Sequence, residues 1–334
     1  MQLSLVVPCY NEEAVLPLAV PQMRALLARL EAAGSIDSSS AVWLVDDGSR
    51  DRTWELIEAA TRAHPNVIGL KLSRNCGHQN ALLAGLLNAD GDAIVSLDAD
   101  LQDDLAVVDQ MVAAWHSGAE IVYGVRRSRP EDTFLKRWTA QRYYALLRGL
   151  GVDVIPDHAD FRLMGRNALR ALGGFHETNL FLRGLVPKLG FASTQVYYDR
   201  GARAAGETKY PFRKMFSLAM DGVTSFSAVP LRLISGLGLG VFVLSLFVAA
   251  WVLFVWAFTD RAVPGWASIT LPIYALGGLQ LLSLGVVGEY IAKIYLETKR
   301  RPRFLIEYIT RERRAGSDRR VPIDPRLDSI ASQI

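Results

Sequence analysis

Asp98 and Asp100 stand two apart at the end of the apolar run Ala93–Leu97, and Gln102 follows two further on. In an extended chain alternate side chains face the same way, so the three oxygen-bearing groups would share one side. Hard oxygen donors with open positions suit Mg2+ or Mn2+ held together with substrate phosphates. The same short pattern also makes a turn, or the N-cap of a helix starting near Asp103, and spacing alone leaves both readings open. Three more polar clusters follow apolar runs directly: Pro8-Cys9-Tyr10-Asn11-Glu12, Asp46-Asp47-Gly48-Ser49 and Ser73-Arg74-Asn75-Cys76-Gly77-His78. Other chemistries lack their residues. There is no Gly-x-x-x-x-Gly-Lys-Ser/Thr loop, no His/Cys metal spacing and no nucleophile elbow. His78 and His158 are isolated, and Cys9 and Cys76 read as small buried residues at strand ends.

The runs that carry these clusters are short and apolar: Leu3–Val7, Val42–Val45, Val67–Leu72, Ala93–Leu97 and Glu120–Val125. Amphipathic stretches separate them at Glu13–Ala33, Arg52–Ala63, Gln79–Asn88 and Leu105–His116. Alternation of this kind predicts βαβ units and a mostly parallel sheet. In open α/β sheets ligands bind beyond the carboxyl ends of the strands, so the four clusters are expected to converge on one edge.

Composition places the rest. The 334 residues are 50% hydrophobic and 21% charged, with mean hydropathy +0.16, which excludes a disordered chain. Two cysteines exclude a disulfide scaffold, and a net charge of +3 gives no basis for a nucleic-acid partner. The hydrophobic excess is local. Leu233–Thr259 and Ala267–Gly288 carry no charge, and each reaches the ~20 residues that a bilayer crossing needs. Trp251, Trp256, Trp266 and Tyr274 flank the short connector Asp260–Trp266, as interfacial aromatics do. Arg203, Lys209, Arg213, Lys214 and Arg232 precede the first run; Lys293, Lys299, Arg300, Arg301 and Arg303 follow the second. The positive-inside rule then predicts a multi-pass protein of the inner (cytoplasmic) membrane, with both termini and the N-terminal part cytoplasmic. Between the soluble part and the first run, Pro211–Val229 has apolar residues at helical spacing beside Arg213 and Lys214. It reads as an interfacial helix or as an ordinary amphipathic helix packed on the domain.

The order PCYNEE, VDDGSRDRT, LSRNCGHQNALLAGL and LDADLQDD resembles the membrane-linked inverting glycosyltransferases of family two, and within them the polyprenyl-phosphate glycosyltransferases. Asp157-x-x-Asp160-Phe161-Arg162-Leu163 is similar to that group's acceptor-side motif. Arg203-x-x-Gly206-x-Thr208-Lys209-Tyr210 is similar to its basic motif over the donor. The likeness runs from about Met1 to about Arg303 and implies a GT-A fold, a nucleotide-binding α/β sandwich with a mostly parallel sheet.

The resemblance also implies roles. Pro8, Tyr10, Glu12, Asp46, Asp98 and Asp100 would bind the nucleotide-sugar, and Asp100 and Gln102 would hold Mg2+ or Mn2+. Arg203 and Lys209 would clamp the departing diphosphate, and Arg126 and Arg137 the acceptor phosphate. Asp160 and, more weakly, Asp157 are catalytic candidates. The implied reaction moves a sugar from a nucleotide-sugar, UDP-glucose first, to a polyprenyl phosphate such as undecaprenyl phosphate. GDP-mannose and UDP-aminoarabinose-type donors, a processive polysaccharide synthase and a non-catalytic membrane scaffold are the alternatives, and the subgroup leaves room for a homo-oligomer. The expected division is a catalytic domain over 1–210, a membrane-surface segment over 211–230, and two spans within 231–296 (about 231–259 and 267–292). A basic, solvated cytoplasmic tail over 297–334 completes it.

Overall fold

The computed structural model describes residues 1–126, 158–177, 180–199, 229–258 and 266–310. Asp157, Arg137, Arg203, Lys209, nearly all of Pro211–Val229 and the tail from 311 lie outside them. The chain divides into an α/β unit, which includes the residues from Arg300 onward, and a helical unit that holds both long helices.

In the α/β unit the expected runs become strands β1 (Leu3–Cys9), β2 (Ala41–Asp46), β3 (Val67–Leu72), β4 (Ala93–Ser96) and β5 (Ile121–Arg126). Helices α1 (Leu16–Ala32), α2 (Thr53–Ala63), α3 (His78–Asn88) and α4 (Val107–His116) alternate with them. Then come β6 (His158–Gly165), α5 (Arg166–Gly173), α6 (Leu182–Lys188) and β7 (Ser193–Tyr198). One eight-stranded sheet results, in the order β7-β5-β6-β4-β1-β2-β3-β8, where β8 is Ile306–Ile309.

Only β6 and β8 run against the others, since β4–β6, β5–β6 and β3–β8 are the antiparallel pairs among the described strands. The mostly parallel α/β sheet expected from the alternation is therefore present. Every residue of β1 and β2 is buried, as central strands covered on both faces require. Leu5, Val7, Leu44 and Val95 pack with Met23, Leu27 and Met111 in the core below the strand ends.

The chain winds β1, β2, β3 in one direction and then places β4 on the other flank of β1. That reversal is a switch point, and the crevice it opens lies beyond the carboxyl ends of β1 and β4. Pro8 is not past the strand, as the sequence suggested, but inside β1 in register with Val45.

The expected tail departs further from prediction. Instead of a solvated segment from 297, its described part forms β8, paired antiparallel to β3 through Leu70↔Ile309 and Lys71↔Tyr308. Tyr308 donates to Glu58 Oε1 at 3.0 Å and meets Trp54 edge-on at 5.1 Å, while the Gly69 N–H donates to Thr310 Oγ1 at 2.9 Å. These contacts outweigh the basic composition around the strand.

The helical unit contains α7 (Val229–Phe258) and α8 (Trp266–Thr298), of 30 and 33 residues. Large apolar side chains on them face outward; Phe247 is 71% exposed, and Trp251, Leu281 and Ile294 are exposed too. Among the described residues one stretch, Leu279–Thr298, is long and apolar enough to cross a membrane by length and composition. It ends beyond the predicted second span, because α8 continues unbroken through Glu289, Lys293 and Glu297.

Candidate functional site

The switch point gathers two groups of residues. The first lies beyond β1 and β2. Asn11 takes the left-handed conformation (φ 55°), so the chain turns sharply after Tyr10. Its N–H donates to Ser49 Oγ at 3.0 Å, and its Oδ1 accepts from the Arg50 N–H at 2.9 Å. The Glu12 N–H donates to buried Thr53 Oγ1 at 2.7 Å, and the Glu13 N–H to Asp51 Oδ2 at 3.1 Å. Four hydrogen bonds thus stitch the β1–α1 loop to the β2–α2 loop.

A third loop joins them. Asp47 accepts the N–H groups of Cys76 at 2.6 Å and Gly77 at 3.0 Å. Gly48 has φ +65°, and a Cβ there would sit 2.6 Å from the backbone of Arg74 and Asn75, so no other residue fits this crossing. Asp46 is fully buried at the end of β2. Its Oδ1 accepts from the Ser49 N–H at 3.2 Å, while Oδ2 has no partner. Burial raises the carboxyl's pKa above its ordinary value despite the Ser49 bonds that lower it. Three of the predicted nucleotide-binding residues, Tyr10, Glu12 and Asp46, are thereby brought to neighbouring strand ends, and Tyr10 is exposed there.

The second group lies beyond β4 and β6. β4 ends at Ser96, and Leu101 takes φ 55°, with the Gln102 N–H donating to Asp100 Oδ1 at 3.2 Å. Strand alternation therefore does not run through Asp98, Asp100 and Gln102, contrary to the sequence reading, because the strand has ended and a left-handed turn intervenes at Leu101. Neither carboxylate caps a helix, since α4 begins at Val107. The β4–β6 register pairs Ser96 with Arg162, so continuing it past β4 sets Asp160 opposite Asp98. His78, at the start of α3, spans the two: its Nε2 lies 3.6 Å from Asp98 Oδ1 and 3.7 Å from Asp160 Oδ2.

The two facing carboxylates differ in their partners. Asp98 is pushed up to about 6 by burial, with Asp103, Asp160 and Asp100 adding repulsion and His78 opposing it. At Asp160 burial also acts upward, but Arg162 and Arg183 overcome it and hold the carboxyl well below the usual range. Arg162 Nη2 donates to Asp160 Oδ1 at 2.6 Å; Arg183 donates from Nε to Oδ1 at 3.3 Å and from Nη2 to Oδ2 at 3.1 Å. Arg162 is 1% exposed, so its charge depends on this pairing. A carboxylate so held is a weak proton acceptor, which argues against Asp160 as a general base.

Arg126, predicted to meet the acceptor phosphate, is already engaged. It donates to Tyr198 Oη at 3.0 Å and to Asp103 Oδ1 at 3.2 Å, and Tyr198 donates to the same oxygen. Asp103 Oδ2 is buried without a partner.

Spacing missed Asp103, Arg183 and Tyr198 and treated His78 as isolated. One signal for Arg183 was present: it is the single charge within the apolar stretch Leu180–Val186.

No group of three or more His, Cys, Asp or Glu among the described residues forms a metal cage. The test for a cation is therefore the donor chemistry of Asp100 and Gln102 and the crowding of negative charge around Asp98. One or two carboxylates suffice where phosphates complete the shell, and the crowding that raises Asp98 is what a divalent cation would relieve. The residues fit Mg2+ or Mn2+ on those grounds.

Comparison with known proteins bears on the same region. The family described as Glycosyl transferase family 2 matches residues 4–173. The chain is 48% identical over 307 residues to the uncharacterized glycosyltransferase YkoT of Bacillus subtilis, covering 91% of each. It is 38% identical over 308 residues to the bactoprenol glucosyl transferase of Shigella phage SfX, covering 92% of this chain and 99% of that one. The prophage bactoprenol glucosyl transferase homolog of Escherichia coli is 37% identical over 310 residues, at the same coverage.

Proposed function

Because the chain belongs to glycosyl transferase family 2, and is a glycosyltransferase, we propose that it moves glucose from UDP-glucose to undecaprenyl phosphate with inversion. The observation that carries the reading is the meeting of unlike carboxylates at the switch point. Asp98 and Asp100 are crowded with negative charge, whereas Asp160 across from them is neutralised by two arginines. One side suits a cation with a diphosphate; the other suits a phosphate anion. The relatives named bactoprenol glucosyl transferase support the sugar and the lipid acceptor.

The division of labour follows from the residues. Asp46 Oδ2, with no partner among the described residues, is suited to accept a hydrogen bond from the nucleoside, and the exposed Tyr10 ring to stack on it. Asp100 and Gln102 would hold Mg2+ or Mn2+, which when bound neutralises charge gathering on the departing diphosphate. An acceptor phosphate oxygen attacks the anomeric carbon as the carbon–diphosphate bond breaks. A phosphate monoester has lost its second proton near pH 6, so no residue has to remove one. Asp160 need only position its arginines. Arg203 and Lys209 would meet the leaving diphosphate, with Arg126 and Arg137 on the acceptor side.

The lipid acceptor calls for a membrane, and we assign α7 and α8 as two spans with the α/β unit at the cytoplasmic face. Their outward apolar side chains support this. So does β8, since strands from before and after the helices share one sheet. A sheet cannot be divided by a bilayer, so the chain between must cross an even number of times. Purified full-length protein with Mg2+ or Mn2+, undecaprenyl phosphate and a panel of nucleotide-sugars is expected to yield glucosyl-phospho-lipid from UDP-glucose. A lipid product from GDP-mannose alone would replace the sugar, and no lipid product from any donor would overturn the reaction.

A further inference from the structure

Arg183 is the arginine of its cluster that reaches solvent. Asp160 is one carboxylate facing two guanidiniums, and it is nearly buried, at 9% side-chain exposure. Arg162 is sealed in the interior, where its Nη1 lies 3.5 Å from the Leu182 carbonyl. Arg183 is 41% exposed, so of the three charges it is the one open to solvent.

Its geometry is equally one-sided. The bond to Asp160 uses the Nε and Nη2 edge of the guanidinium. Five N–H groups are fixed in the plane of that group, so three remain, two on Nη1 and one on Nη2. One on each nitrogen forms the end-on edge, which is the edge that takes a second planar or tetrahedral oxyanion in a two-bond fork. Asp160 fixes the plane and leaves that edge unused. The location is also specific, because Arg183 feels both Asp98, on the proposed donor side, and Arg126, on the proposed acceptor side. Arg126 gives its Nε and Nη2 to Tyr198 and Asp103 and is the less exposed of the two arginines, at 28% against 41%.

We propose that Arg183 binds a phosphate oxyanion of one of the two substrates, with Asp160 as its positioning group. The assignment rests on the transfer reaction proposed above, and the shared chemistry is the phosphate, whether the acceptor's monoester or the donor's diphosphate. Arginine is required rather than lysine, since only the planar fork can hold Asp160 with one edge and a phosphate with another.

The experiment uses full-length protein in detergent and two probes, UDP with Mn2+ and undecaprenyl phosphate, titrated against wild type, Arg183→Ala and Arg183→Lys. One probe is expected to bind Arg183→Ala about tenfold more weakly or worse, as loss of a charge-assisted fork requires, with the other within about twofold. Loss of UDP affinity identifies the donor diphosphate; loss of lipid-phosphate affinity identifies the acceptor. Arg183→Lys restores the charge without the fork, so it should recover the same probe in part while keeping the wild-type melting temperature. If Arg183→Ala does not fold, an affinity loss in Arg183→Lys confined to one probe carries the proposal. Unchanged affinity for both probes in a folded variant overturns it. Wild type that binds both probes yet makes no lipid product with any nucleotide-sugar would instead defeat the transfer reaction, and the Arg183 assignment would still be decided by the titrations.

Discussion

The two halves of the crevice are built by different forces. Beyond β1 and β2, three loops are tied by hydrogen bonds, many from backbone N–H groups, and the glycine at position 48 lets them cross. Beyond β4 and β6, the same task falls to ion pairs: Asp160 with Arg162 and Arg183, Asp103 with Arg126. Hydrogen bonds fix shape at modest cost. Buried charges fix shape too, but removing one member leaves the other stranded in a poor solvent. The hydrogen-bonded half, proposed to hold the nucleoside, should therefore tolerate single losses, whereas the ionic half should not.

The largest effect is expected at the most interdependent residue. Asp160→Ala strands Arg162 in the interior and should cost roughly 3–5 kcal/mol, read as a lowered denaturant midpoint. A loss below ~1 kcal/mol would mean that the ionic half is no more brittle than the other. Asp100→Ala should act on chemistry instead of folding. Turnover should fall by roughly a hundred- to a thousand-fold, the scale for removing one preorganised charge-stabilising group, with little change in melting temperature. Retained turnover would remove Asp100 from the cation site.

The facing carboxylates predict opposite pH responses. Asp98 has its pKa raised, so the folded state binds its proton more tightly than the unfolded chain does. In chelator-treated protein its contribution to stability should rise as pH falls from about 6 toward about 4. Asp160 has its pKa lowered, so its contribution is present above the unfolded value near 4 and is lost as pH falls below it. Melting temperature against pH should thus pass through a maximum between the two windows. Asp98→Asn should erase the rise and leave the acid fall. The smallest effect belongs to the hydrogen-bonded half. Thr53→Ala deletes the acceptor of the Glu12 N–H and should cost ~1 kcal/mol, with turnover at saturating donor close to wild type.

What sequence revealed and what it hid follow the same division. β1 to β5 were legible because each is a short, mostly apolar run containing Val or Ile between amphipathic stretches. β6 was legible only as a motif, since Asp160 and Arg162 interrupt its apolar pattern and their burial is repaid by each other and by Arg183, 23 residues past Asp160. β8 is four residues in a basic segment after two long helices, and nothing local announces a strand there. In the site, the spacing of Asp98, Asp100 and Gln102 suggested an extended strand end, but the chain there turns at a leucine with φ 55°, which spacing does not express. His78 looked solitary because its two neighbours are 20 and 82 positions away in the chain.

The late arrival of β8 has a consequence during synthesis. When a ribosome has made β1 to β7, β3 still presents an open edge of unpaired N–H and C=O groups, because its partner lies more than 100 residues beyond β7. Both long apolar helices must emerge before the strand that covers this edge. If those helices are inserted as they emerge, the last strand is made at a membrane-tethered ribosome, and the nascent sheet meets its final partner only after the chain has been delivered to the bilayer. A chain released before that point would carry an open strand edge and be prone to aggregation. If the helices are an anchor as proposed, a completed sheet is also the sign that the anchor was made.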